Sequence, residues 1–136
     1  MLYYDLRSVG YIMIEEIRVQ LGSIARNVDS CIHVRIETIF TYPDGSSVDL
    51  FVVDDHLSDL GRTMEWLLDI QVRPDEYRAF IWGILMWYGV RRNGGAFEVS
   101  VRTLEGVREE TVRLGRACAR VAALVNMCRS ICPRRR

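Results

Sequence analysis

The fold is decided by the stretch from Ile32 to Val53, IHVRIETIFTYPDGSSVDLFVV. Between its two apolar runs, Tyr42-Pro43-Asp44-Gly45 supplies a proline and a glycine at the positions that a tight turn favours. Every second residue on either side of this turn is apolar, which is the period of a half-buried strand: Ile32, Val34 and Ile36, then Val48, Leu50 and Val52. The stretch therefore predicts two antiparallel strands joined as a hairpin.

Helical periodicity flanks this hairpin on both sides. Residues 8–26 carry apolar side chains at steps of three and four, which predicts an amphipathic helix. After the hairpin, Asp54-Asp55 links to a short strand at His56-Leu57-Ser58. Asp59 then stands where it can cap the helix that follows it.

A third helix and a second hairpin follow. Pro74, Asp75 and Glu76 suit a first helical turn. The residues from Tyr77 to Tyr88 are so largely apolar that this helix is expected to be mostly buried. The segment 91–95, RRNGG, is a turn between a short strand at Val90 and the alternating residues Phe97, Val99 and Val101.

The last predicted helix is long and runs from Thr103 to about Cys132. Its apolar positions recur every 3.5 residues: Val107, Thr111, Leu114, Cys118, Val121, Val125, Cys128 and Cys132. Such a seam has two interpretations: antiparallel packing against the first helix within the chain, or a homodimer through the C-terminal helix. Both remain open at the sequence level.

These elements predict one α+β domain over residues 1–136, in which two small antiparallel hairpin or meander units pack with four helices, the last of them long. The predicted core contains thirteen residues: Ile17, Leu21, Val34, Ile36, Leu50, Val52, Leu67, Phe80, Ile84, Leu85, Val99, Leu114 and Val121.

The amino-acid composition excludes several kinds of catalytic and metal site. All eighteen basic residues are Arg, so no Lys is present for a Walker-type phosphate loop or a Schiff base. Only His33 and His56 are available as imidazole ligands, and no C-x-x-C pair occurs. We therefore expect no cofactor, no metal and no catalytic residues. No apolar run is long enough to span a bilayer, and a cytoplasmic location is expected.

Charge is balanced overall but divided along the chain. Residues 44–90 hold three Arg and nine acidic residues, whereas residues 91–136 hold eleven Arg and four acidic residues. An acidic surface from the central segment can imitate a phosphate backbone and bind a basic partner, such as a nucleic-acid-binding protein. The partner-binding residues predicted on this ground are Asp44, Asp49, Asp54, Asp55, Asp59, Glu65 and Asp69.

Two alternatives use other residues. Asp54, Asp55, His56 and Asp59 offer oxygen and nitrogen ligands for a metal-dependent enzyme, although their spacing matches no known metal motif. Arg91 and Arg92 beside a hairpin tip, with the basic tail Arg134, Arg135 and Arg136, suggest a regulator that binds nucleic acid. The acidic first turn of the preceding helix speaks against that regulator, because it would repel phosphate.

Short motifs between Ile36 and Val72 carry a resemblance: the Thr41-Tyr42-Pro43-Asp44-Gly45 turn, the strand Val48 to Val53, then Leu57-Ser58-Asp59-Leu60-Gly61-Arg62-Thr63 before a short helix and Ile70-Gln71-Val72. In these, and in a later helix that ends at Tyr88-Gly89-Val90, the chain resembles a bacterial domain family of unknown function associated with phages and mobile elements. The resemblance implies a mobile-element origin and brings no catalytic residues with it. By analogy, the expected function is a non-enzymatic binding protein that acts on a host protein, such as an inhibitor of host defence of the anti-CRISPR kind.

Overall fold

The protein is described by a computed structural model, which covers residues 6–30 and 34–131, with side chains described for residues 14–29 and 34–131. The described residues form four α-helices and six strands, with a 3-10 turn before each of the last two helices. In chain order these are α1 (Leu6–Leu21), β1 (Ala25–Ser30), β2 (Val34–Thr41), β3 (Ser47–Val53), β4 (His56–Ser58), α2 (Arg62–Asp69), the 3-10 turn Pro74–Tyr77, α3 (Arg78–Tyr88), β5 (Arg91–Asn93), β6 (Ala96–Ser100), the 3-10 turn Leu104–Gly106 and α4 (Val107–Ile131).

The six strands form one antiparallel sheet in the order β1-β2-β3-β4-β6-β5. The two predicted hairpin units are both present, but in the second one Arg91–Asn93 forms strand β5 instead of part of the turn, and Val90 lies outside the strand. The two units are joined because β4 pairs with β6, where Leu57 lies opposite Val99. The α+β class with four helices and a long C-terminal helix is confirmed. The pairing of β4 with β6 is what makes two small units into a single continuous sheet.

The core lies between one face of this sheet and the helices. Ile36 and Leu50 face each other on β2 and β3, and both are fully buried. Helix α4 crosses behind β2, β3, β4 and β6. The seam of α4 from Val107 to Val125 is buried against them. The seam is therefore buried within the chain. A homodimer through the C-terminal helix stays a prediction, and its contact would have to lie on the outward side of α4. Cys128 is half-buried, and Cys132 lies outside the described residues.

The N-terminal region differs from the prediction. Helix α1 ends at Leu21 instead of near residue 26, and Gly22 follows with a φ of 55°, in the left-handed region that ends a helix. The chain then enters β1, an edge strand that was not predicted, whose Val28 faces Ile36 of β2. Strand β2 is described from Val34, and residues 32 and 33 lie outside the described residues.

Helix α3 is less buried than expected. It packs against α4 and β5. Because α3 is an outer helix of the fold, only one stripe of it is covered, and its buried residues are Ile81 and Leu85. The prediction of a mostly buried helix was wrong, and so was the assignment of Phe80 to the core, since Phe80 is exposed. None of the described helices combines the length and the hydropathy needed to cross a membrane.

Candidate protein-binding surface

The acidic residues predicted to form a surface are divided among several places. Asp44 is exposed in the turn before β3, where its carboxylate accepts hydrogen bonds from Ser46, which lower its pKa. Asp54 and Asp55 are exposed in the turn after β3, at the other end of that strand. With a rise of about 3.4 Å per residue, a seven-residue strand separates the two turns by roughly 20 Å. The two exposed acidic turns therefore do not share one end of the sheet.

On α2, Glu65 and Asp69 are also exposed. The other two members of the predicted set are not on the surface. Asp49 is buried, and its Oδ2 accepts a hydrogen bond from Nη2 of Arg35 at 2.8 Å on the neighbouring strand. Hydrogen bonding to Asp49 raises the pKa of Arg35. The placement of Asp49 on an exposed acidic surface was therefore wrong, because Arg35 pairs with it across the strands.

Asp59 is fully buried and works as a structural residue. Its Oδ1 accepts the backbone N–H of Phe97 at 2.7 Å and that of Gly61 at 2.9 Å, while its Oδ2 accepts the N–H of Thr63 at 3.2 Å. Burial raises the pKa of Asp59, against the opposing effect of these hydrogen bonds. The N-cap of α2 is Gly61 and not Asp59, although the Asp59 carboxylate does bond to the N–H of Thr63 in the first turn. The placement of Asp59 on a partner-binding surface was wrong, because it is buried.

Around Asp59 lies a compact group of buried polar side chains. The Sγ of Cys118 lies 3.8 Å from its Oδ2, and burial raises the pKa of that thiol. The hydroxyls of Tyr42 and Thr63 are hydrogen-bonded at 3.0 Å. The ring of Tyr42 stacks on Trp66, with the ring centroids 5.5 Å apart. These contacts join the β2–β3 turn to α2 and α4, so the group holds the fold together.

The proposed metal ligands do not converge. His56 lies between two carboxylates, with Nδ1 3.3 Å from Asp55 and Nε2 3.4 Å from Glu98. Asp59 instead bonds to the backbone of Gly61, Thr63 and Phe97. Within residues 6–30 and 34–131, no three His, Cys, Asp or Glu side chains are grouped so that they could hold a metal ion. The combination of Asp54, Asp55, His56 and Asp59 into one site was therefore wrong.

The arginines of the nucleic-acid alternative are engaged locally. Arg91 is bonded through Nη2 to Oε1 of Glu98 at 3.2 Å across the hairpin. Arg92, in β5, donates from Nε to the carbonyl oxygen of Gly94 in the hairpin turn at 2.8 Å. Residues 134, 135 and 136 lie outside the described residues. Both described arginines thus have contacts that shape the hairpin itself.

Among the described residues, the outward side of α3 exposes the most large apolar side chains. Four large apolar side chains on this helix are exposed, to 40%, 52%, 67% and 85% in chain order: Phe80, Trp82, Met86 and Trp87. Taking about 200 Å² for each large side chain, they leave roughly 500 Å² of apolar surface in water. This area is a sum over about half of the helix circumference, because Phe80 and Trp82 are two residues apart and point to opposite sides. The largest contiguous apolar patch on a typical monomer is about 300–600 Å², and patches of that size are often functional.

A groove runs between this face and α4. It has a volume of about 570 Å³, and Phe80, Ile84 and Trp87 form much of the α3 wall. Arg120 and Leu124 form the α4 wall. We call the exposed side chains of α3 and this groove together the α3–α4 surface. Its aromatic rings stand beside a concave channel, which is the form of a site that receives an apolar side chain of a partner.

The outward stripe of α4 beside the groove changes character along its length. The positions with helical spacing are Arg113, Arg116, Arg120, Leu124, Met127 and Ile131, which are basic in the first half and apolar in the second. A Cβ atom placed on Gly89, at the end of α3, would lie 3.8 Å from Nη1 of Arg113. The basic half of the stripe therefore lies beside the C-terminal end of α3, where Trp87 is located.

Sequence reasoning missed this surface for an identifiable reason. An apolar helix was taken as a buried helix, which is the usual outcome in a globular domain. The signal that could have indicated otherwise is the width of the apolar pattern: Trp82, Met86 and Trp87 lie off the stripe of Ile81 and Leu85, which is sufficient for packing on one neighbour.

Comparisons of the chain with family models, with curated proteins and with solved structures found no match in any of the three. The resemblance to a mobile-element domain family accordingly stays a prediction.

Proposed function

We propose that this protein is a non-enzymatic binding protein that holds a protein partner on the α3–α4 surface. The observation that carries the proposal is the exposure of Trp82, Met86 and Trp87 together on one helix. Trp is among the residues that most often dominate binding energy at interfaces, because it supplies a large contact area with few rotatable bonds. The acidic surface is not part of this proposal, since two of its members are buried.

The size of the surface suits an interface of ordinary dimensions. A standard interface buries about 800 Å² on each partner, and its fully buried centre is mainly apolar. The roughly 500 Å² of exposed apolar surface on α3 would supply such a centre. The half-buried Tyr88 and the exposed Arg116 and Arg120 would supply a polar rim around it.

The origin and the biological target remain predictions. A phage or mobile-element origin, a host protein as the partner and inhibition of host defence all come from the resemblance. The proposed binding mode is independent of them, since it is argued from side-chain exposure on α3. It is compatible with an inhibitor, because a domain that occupies a partner's apolar surface also blocks that surface to others.

Affinity capture with matched variants tests the proposal. The wild-type protein, the double variant Trp82→Ser/Trp87→Ser and the control Val19→Ser are each used as bait in lysate of the cell that carries the gene. Val19 is 77% exposed on α1 and lies outside the α3–α4 surface. We expect one or more proteins to be retained by wild type and control but lost from the double variant. Retention of the same proteins by all three baits, or of none by any, contradicts the proposal.

A further inference from the structure

We propose that the partner presents an acidic amphipathic helix, with an apolar stripe that enters the α3–α4 groove and carboxylates along one edge that meet Arg116 and Arg120. This inference rests on the proposed function and adds the chemical class of the partner to it. Helices that lie in an apolar groove are a recurring mode of peptide recognition. The choice among possible occupants follows from the charges that border the groove.

The two helices that form the groove carry arginines and no carboxylates over the relevant lengths. From Tyr77 to Val90 and from Thr111 to Ile131 there are five Arg and no Asp or Glu. Three of these Arg are already engaged: Arg78 with Asp75, Arg113 with Glu110, and Arg129 with the carbonyl oxygen of Ile70. Arg116 and Arg120 make no hydrogen bond or ion pair to any residue within the described part of the chain. Both are exposed; Arg120 lines the groove, and Arg116 lies one turn before it on α4.

A partner helix gains from these charges in two ways. Carboxylates that face Arg116 and Arg120 would be attracted to them, and the attraction also steers the encounter. An apolar stripe on the same helix would cover the exposed rings of Phe80 and Trp87, which line the groove. Helix α3 has 11 residues and is about 16 Å long, so three turns of a partner helix are sufficient to cover it.

A second copy of this chain fits less well. In a two-fold dimer through the α3–α4 surface, identical faces meet, so that Arg116 and Arg120 would face arginines and apolar groups with no carboxylate among them. A head-to-tail contact has a candidate in the groove beside α1, which includes Glu15, Glu16 and Glu105. That groove offers Val19 and Leu104 as its apolar side chains, which is too little to cover the four on α3.

A helix display library tests the partner class. The peptides have a fixed stripe of Leu, and each flanking position is Glu, Lys, Gln or Ala in equal proportion. Selection uses the whole wild-type protein, with the double variant Trp82→Ser/Trp87→Ser as counter-selection. We expect Glu to exceed Lys by at least about tenfold at one edge of the selected helices. We expect the double variant Arg116→Glu/Arg120→Glu to select Lys at that edge instead and to bind the Glu-rich peptides at least about tenfold more weakly.

Each other outcome overturns the inference in a recognisable way. If the selected peptides depend on the two Trp residues but show no preference for Glu, the proposed function is retained and the inference that the partner helix is acidic is wrong. If no peptide is selected that depends on the two Trp residues, the inference that the partner presents a helix is wrong. The capture experiment tests the proposed function separately. Trp87-dependent binding to mixed phosphatidylcholine–phosphatidylserine vesicles would assign the surface to a membrane. Self-association of the purified protein that Trp87→Ser abolishes in sedimentation would assign it to a second copy.

Discussion

Asp59 and Phe97 are 38 positions apart in the chain and are joined by a hydrogen bond from the backbone N–H of Phe97 to Oδ1 of Asp59 at 2.7 Å. The bond connects the loop before α2 to β6, the strand that joins the second hairpin to the rest of the sheet. The same carboxylate accepts the N–H of Gly61 and Thr63 at the beginning of α2. A single side chain therefore ties the beginning of α2 to β6.

Replacement of this carboxylate should weaken the fold. We expect Asp59→Asn to lower the free energy of unfolding at pH 5 by about 1–3 kcal/mol. The NH₂ group of the introduced Asn would face backbone N–H donors that bond to Oδ1 and Oδ2 of Asp59 in the wild type. Urea unfolding of the purified proteins measures the change. Asp54→Asn is the control, since Asp54 is exposed with a φ of 52°, a conformation that Asn also adopts readily. Equal stability of Asp59→Asn and wild type would contradict the structural role.

The stability that Asp59 contributes should depend on pH. Burial raises its pKa in the folded protein above the ordinary value of 3.8, so the folded state holds the proton more tightly than the unfolded state. Its contribution is complete below the ordinary pKa and is lost as the pH rises through the raised pKa. The difference in unfolding free energy between wild type and Asp59→Asn should therefore shrink from pH 4 upward. A difference that grows with pH over this range would show that the pKa is lowered instead.

The pairing of Arg35 with Asp49 should be measurable as a coupling energy. Asp49 is buried and its Oδ1 has no hydrogen-bond partner among the described residues, so Arg35 supplies the compensation for its charge. In a double-mutant cycle with Arg35→Ala and Asp49→Ala, we expect a coupling of about 0.5–2 kcal/mol in urea unfolding. Arg35 is partly exposed, which limits the value and makes it decrease as salt is added. A coupling of zero would mean that the pair contributes no stability.

The exposed rings of α3 should be dispensable for folding. We expect Trp87→Ser to change the free energy of unfolding by no more than about 0.5 kcal/mol, since the ring is 85% exposed and Ser and Trp have similar helix propensities. Ile81→Ala on the buried stripe of the same helix should cost about 2–5 kcal/mol. Chemical unfolding compares the two. A large loss in Trp87→Ser would mean that the residue serves the fold and would weaken its assignment to binding.

The strands that the sequence predicted correctly are those with a strong alternation. Val48, Leu50 and the turn at Pro43 and Gly45 have the period and the turn chemistry of a hairpin, and local patterns of this kind survive in the fold. Strand β1 was missed because five of its six residues are small or polar, and Val28 alone is buried among its described side chains. Such an edge strand is held by the backbone bonds of its neighbour, which no local pattern reveals.

The candidate site was predicted poorly because it depends on tertiary burial. Asp49 and Asp59 have the same side chain as the exposed Asp54, and only the position of Arg35 and of the Phe97 backbone explains why they are inside. In the same way, the composition of α3 indicates an apolar helix but does not indicate which element covers each side of it. The sequence alone could therefore predict the elements of this surface, but not that Trp82 and Trp87 remain in contact with water.

Two helical glycines offer a matched test of packing, since the same substitution should have opposite effects at them. A Cβ on Gly115 in α4 would lie 2.5 Å from Cδ2 of Phe40 on β2, whereas a Cβ on Gly83 in α3 would meet no atom of the described residues within 4 Å. We expect Gly115→Ala to lower the free energy of unfolding by about 1–3 kcal/mol through overpacking. Gly83→Ala should raise it by about 0.5–1 kcal/mol, because Ala restricts the unfolded chain and favours the helix.

Urea unfolding of both variants, with Phe40→Leu added to Gly115→Ala, completes this test. The smaller side chain should restore part of the lost stability, because it frees the space that the added methyl group needs. A Gly115→Ala protein as stable as the wild type would mean that α4 and β2 move apart at no cost. That result would contradict the close contact of α4 with the sheet on which the position of the α3–α4 surface depends.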